Sequence, residues 1–285
     1  MLIVVHHCSF ASHSAVFECV FGDIGMWICG IFFLQSGYAL GVATDKYVHM
    51  NVSAFYKRRV RRILVDALII SALYQLFLLC KNECSITDTW LKLLVGNTSG
   101  VLPFSWFIWE LVLLYLLYYV SLQFKHEKVV LWGLTIILMA IFYALHFGCE
   151  WYMSTLSFPL GVTITHRGGT INRRQLVMIT MLSLLLYALY KISGVVQIYI
   201  LIVPVLALSL NYLLSNVLLN RYAVFNKLAG NSFYIYMFQG FAFGFIGHTN
   251  SYQSMWLYTF LVLSLTILMS IIYMFVREKM AIRNR

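Results

Sequence analysis

Of 285 residues, 61% are hydrophobic and 11% are charged, and the mean hydropathy is +0.83. A soluble domain carries about 25% charged residues, and a chain this apolar could not cover its own surface with polar groups, so a soluble globular protein is excluded. The formal net charge of +10 would fit either a nucleic-acid binder or a membrane protein with basic loops on one side.

The apolar residues fall in runs of about 18 to 22, the length that crosses a bilayer core as a helix. Backbone groups in lipid must be paired within their own segment, which predicts helices. The alternating segments of about 10 residues that build a membrane β-barrel are not seen. In chain order, spans are predicted over residues 24–43, 63–80, 104–122, 129–147, 151–165, 176–190, 195–214, 232–247 and 255–276. The fifth is short and interrupted by Pro159 and Gly161. Residues 1–5 read as the tail of a further span, which would need about a dozen more apolar residues before His6. No positive region precedes them and His6, His7 and His13 follow, so no cleavable signal peptide is read there. The expected fold is an all-α polytopic transmembrane bundle of nine complete spans and a partial first one. It forms a single integral-membrane domain, because the longest loop, 81–103, is too small to fold alone.

Lys and Arg set the orientation. With the loop after residues 24–43 placed in the cytoplasm, only Lys81, Lys92 and Lys191 of the 20 basic residues face outward. The chain is thus expected in the inner, cytoplasmic membrane with a cytoplasmic C-terminus. The net charge reads as topology, with membrane lipids rather than nucleic acid as the partner.

Function in such a chain shows in polar groups that are costly to bury, since a charge at a helix centre costs about 2.5–3.5 kcal/mol on insertion scales. His6-His7 follows the apolar run Leu2–Val5. Imidazole titrates near neutrality and is the usual base for a hydroxyl proton, although a histidine pair can equally sit at an interface or cap carbonyls. The segment Lys57-Arg58-Arg59-Val60-Arg61-Arg62 leads into a span. It can attract anionic headgroups or grip the phosphates of a cytosolic donor. Glu110 lies near one end of its span, either at the interface or paired with a histidine that it orients. Asn231 or Ser232 is expected to cap the late span, where Tyr236 and Gln239, three apart, share a face and are placed either to pack and hydrogen-bond another helix, the commoner role, or to contact a substrate. Asp23 and Asp66 fall near span ends and read as interfacial. Of the six cysteines, Cys8, Cys19, Cys29 and Cys149 read as apolar packers. A Cys80–Cys84 disulfide is open, and no Cys/His set has the spacing of a zinc site.

The order of these pieces resembles the acyltransferase 3 family of integral-membrane acyltransferases. The resemblance runs from the apolar-His element Ile3-Val4-Val5-His6-His7, through Phe32-Phe33-Leu34-Gln35-Ser36-Gly37-Tyr38, to the aromatic-basic segment from Phe55 to Arg62. Trp106-Phe107 with Leu114-Tyr115-Leu116, and the Gly-x-Ser-aromatic element from Gly230 to Tyr236, complete it. The resemblance implies a ten-helix fold that moves an acyl group, usually acetyl from coenzyme A, onto a hydroxyl of a surface polysaccharide or similar acceptor. It implies a catalytic histidine at His6 or His7; Glu110, if it is not interfacial, is the candidate partner on the reading of its own position. Donor binding falls to Arg58, Arg59, Arg61 and Arg62, and acceptor contacts to Trp106, Tyr236 and Gln239. Acetyl-coenzyme A enters as a donor substrate, and no permanent cofactor or metal is expected. Two departures stand out: the family's arginine about ten residues before the histidine has no counterpart here, and Gln239 stands where the late motif often ends in histidine. A transporter or flippase for a lipid-linked sugar is the alternative, because it too needs buried polar groups and a broken helix. A third reading is an inactive relative serving as a structural partner.

Overall fold

A computed structural model describes residues 1–11, 18, 21–46, 52–81, 106–165, 172–214, 231–247 and 254–283. Every regular element among them is a helix: α1 (Leu2–Ala11), α2 (Ile24–Lys46), α3 (Val52–Cys80), α4 (Trp106–Ser121), α5 (Glu127–Ala144), α6 (Glu150–Met153), α7 (Ser157–Thr165), α8 (Arg173–Ser193), α9 (Val196–Leu214), α10 (Ser232–Ile246) and α11 (Met255–Arg283). The stretches Ile24–Thr44, Arg59–Cys80, Glu127–Ala144, Arg174–Ser193 and Met255–Lys279 are long and apolar enough to cross a membrane. Their outer faces carry exposed Leu68, Leu76, Ile136, Met178, Met181, Trp256 and Phe260, an apolar surface suited to lipid. The all-α membrane bundle expected from hydropathy is therefore present. His13, Cys19, Cys84, Lys92, Arg167, Arg221, Lys227, Gly230 and Arg285 lie outside the described residues.

Two elements differ from expectation. The helix beginning the chain continues past residue 5 through both histidines to Ala11, which is possible because each imidazole has a hydrogen-bond partner. The helix of the second predicted span starts earlier, at Val52, so the basic segment leading into that span forms the second and third turns of α3. In those turns the Arg61 and Arg62 side chains are exposed.

The chain divides into two compact units. One comprises Met26–Leu64 and Phe107–Asn220. Here α8 and α9 form a hairpin. Asn172 and Gln175 start α8 with a reciprocal capping box, and Gly194, at φ +68°, ends it. Buried Met153, Tyr199, Ile202, Val203 and Leu206 pack the interior of this unit. The predicted interruption at Pro159 and Gly161 falls one turn earlier, at residues 154–156 between α6 and α7. Pro159 sits in the first turn of α7, where its missing N–H is not needed. Gly161 is used for contact instead: a β-carbon there would overlap the Leu34 carbonyl of α2, and one at Gly37 would overlap the Phe158 carbonyl of α7. Backbone meets backbone, as small residues permit in lipid.

The other unit comprises Met1–Gly25, Val65–Trp106 and Arg221–Arg285. The hairpin α10–α11 is its frame, and α1 packs on both helices. The segment of α3 after Leu64 runs in the same direction as α10, with Asp66 bonded to Tyr234 at one end and Lys81 Nζ donating to the Gly244 carbonyl at the other (2.7 Å). Asn231 occupies the N-cap position of α10, but its side chain makes no capping bond. Only its carbonyl serves, accepting from Ile235 N–H at 3.0 Å.

The contact of α2 with α7 yields a test. Gly161→Val should destabilise the protein in detergent by about 1–3 kcal/mol, read as a lowered Tm, because the clash is with backbone that cannot rotate away. An unchanged Tm would contradict the close approach.

Candidate active site

The site is built on α1 and α10. His7 Nδ1 lies 2.8 Å from Gln239 Oε1, across 232 residues of sequence. An amide oxygen only accepts, so Nδ1 carries the proton and donates it. In a neutral imidazole so fixed, the lone pair is on Nε2, the nitrogen a base would use. Gln239 is fully buried, and its Nε2 has no hydrogen-bond partner among the described residues. Along α10 it follows buried Tyr236, Met237 and Phe238.

The neighbouring histidine is held differently. His6 Nδ1 donates to the Phe21 carbonyl at 3.0 Å, and the Ser9 hydroxyl closes on the His6 carbonyl at 2.7 Å. The His6 ring lies against the α-carbon of Gly25, where any β-carbon would overlap the imidazole. His6 is buried and His7 half-buried, with their ring centroids 5.1 Å apart. Of the two histidines that the sequence leaves equivalent, His6 is thus wedged against the α2 entry and His7 is the more accessible.

In the same unit a second polar group involves residues to which the sequence reading gave no role. Asp66 Oδ2 accepts from the Tyr234 hydroxyl at 2.9 Å and pairs with Arg277 Nη2 at 3.2 Å; Oδ1 accepts from the Tyr273 hydroxyl at 3.2 Å. Arg277 Nη1 also donates to the Tyr234 hydroxyl. Asp66 is buried rather than interfacial. Its signal was visible, an acid only a few residues inside an apolar run, but its partners lie too far along the chain for periodicity to find them.

The remaining candidates fall as follows. Glu110, fully buried on α4, accepts from Thr155 Oγ1 at 2.7 Å, at the break before α7. Glu110 Oε2 and the hydroxyls of Ser154 and Ser157 have no partners among the described residues. Trp106 is buried at the start of α4, and Tyr236 is buried in α10. In the basic turns of α3, Lys57, Arg61 and Arg62 are exposed. Arg59 is half-buried with its guanidinium 5.7 Å over the Tyr115 ring, a cation–π contact. The Arg58 side chain lies outside the described residues.

A conformationally fixed imidazole beside an amide can take a proton from a hydroxyl and return it to a leaving group, which is the proton traffic of acyl transfer. No curated protein matches the chain, and no solved structure does. A family model does: the acyltransferase domain of the acyltransferase 3 type matches residues 1–275. The chain belongs to the acyltransferase 3 family and is a multi-pass membrane acyltransferase.

Proposed function

We propose that the protein transfers acetyl from acetyl-coenzyme A to a hydroxyl of a carbohydrate, with His7 as the general base. The observation that carries this reading is the His7–Gln239 hydrogen bond, which directs the His7 lone pair to Nε2. A sugar hydroxyl is a poor nucleophile until a base takes its proton as it attacks the thioester carbonyl. The proton moves to His7 Nε2, the new C–O bond forms, the C–S bond breaks, and the imidazolium returns the proton to the departing thiolate. Gln239, where the family often has a second histidine, serves here as the group that holds the first. Tyr236 and Trp106, buried in the same unit as His7, contribute to the acceptor site.

Arg61 and Arg62, exposed on one face of α3, would meet the donor's phosphates together with Arg58. Arg59 is committed to Tyr115 and has a smaller share. The protein resides in the inner membrane with its C-terminus in the cytoplasm. The pairing of Asp66, just beyond the basic turns of α3, with Arg277 near the end of α11 supports one membrane side for both.

The reading is tested in membranes supplied with radiolabelled acetyl-coenzyme A and polysaccharide. His7→Ala should lower incorporation by a factor of about 10²–10⁴, whereas His6→Ala should cost less because the His6 ring is packed against Gly25. Undiminished incorporation by His7→Ala at normal protein level would overturn the assignment. Arg61→Gln with Arg62→Gln should raise the KM for the donor while leaving that for the acceptor unchanged. An equal effect on both would assign these arginines to lipid headgroups.

A further inference from the structure

We propose that Asp66, Arg277 and Tyr273 are positioning residues that set the axial height and rotation of α10, and so deliver the Gln239 amide to His7. The proposal rests on the reading of His7 as the base.

The geometry points to it in three steps. First, Tyr234 on α10 is held by both neighbouring helices: its hydroxyl donates to Asp66 on α3 and accepts from Arg277 on α11. Tyr273 donates to the second Asp66 oxygen at 3.2 Å, and its ring lies 5.3 Å from that of Tyr234 and 5.5 Å from that of Phe238. One face of α10, a turn long, is thereby fixed against α3 and α11. Second, Gln239 is five residues beyond Tyr234, about 7.5 Å along the axis and about 140° around it. The fixed face and the face offered to His7 are therefore different sides of one short helix. A rotation or slide permitted at Tyr234 moves the Gln239 amide off a 2.8 Å hydrogen bond. Third, a buried ion pair is a poor device for stability alone. Apolar residues of the same volume often hold a fold as well or better, whereas charged and hydroxyl partners fix one register among several. Asp66 is 6% and Arg277 30% exposed by side chain, so the pair is desolvated mainly on the acid side.

The test uses the full-length protein in membranes, with kinetics for donor and acceptor. Asp66→Asn, and the charge-free double variant Asp66→Leu with Arg277→Met, should both accumulate normally, and each should lower kcat about ten-fold with both KM values unchanged. Each change is then repeated in a Gln239→Leu background. There it should cost less than about two-fold, because the amide being positioned is already gone. Tyr273→Phe, which loses one of the bonds to Asp66, should fall between the wild type and Asp66→Asn. Multiplicative losses in the two backgrounds would overturn the proposal while leaving the role of His7 intact. So would a loss that tracks protein amount in both Asp66 variants. A Gln239→Leu enzyme with full kcat would overturn it together with the reading it rests on.

Discussion

Lipid gives helices no hydrophobic reason to associate, because hydrocarbon tails are as apolar as leucine. An unpaired polar group in that medium costs several kcal/mol. A buried polar side chain therefore gains from a partner on another helix, and in this protein several such pairs join helices within each unit. In one unit His7 is answered by Gln239, and Asp66 by Tyr234, Tyr273 and Arg277. In the other, Glu110 is answered by Thr155, and the Trp132 indole by Thr163 at 3.1 Å.

Glycines do the complementary work. Gly37 and Gly161 bring α2 and α7 into backbone contact, and Gly25 makes room for the His6 ring. The break before α7 follows the same logic. Its polar residues Ser154, Thr155 and Ser157 are all buried, and Thr155 is bonded to Glu110. Irregular backbone at membrane depth is tolerated where protein covers it.

Hydropathy made the helices legible because a span is a local property: the predicted run 24–43 lies within α2, and 195–214 corresponds to α9. The motif order likewise gave the family. Pairing was not legible, since it joins residues far apart in the chain. His7 and Gln239 each stand out in the sequence, but their 2.8 Å contact needs the packing of α1 on α10. Asp66 reads as interfacial by its distance from the span end, whereas the structure buries it beneath two tyrosines and an arginine. The basic segment stands out by its charge alone. Its helical phase separates Arg59, stacked on Tyr115, from the exposed Arg61 and Arg62.

The central claim is that His7 is held as the Nδ1–H tautomer, leaving Nε2 as the base. It can be measured directly by 15N NMR of histidine-labelled protein in membranes, using the difference between the wild type and His7→Ala to isolate the His7 signals. The account predicts a protonated Nδ1 and an unprotonated Nε2, with that preference lost in Gln239→Leu. A His7 protonated on Nε2 with Nδ1 unprotonated, unchanged by the loss of Gln239, would contradict it.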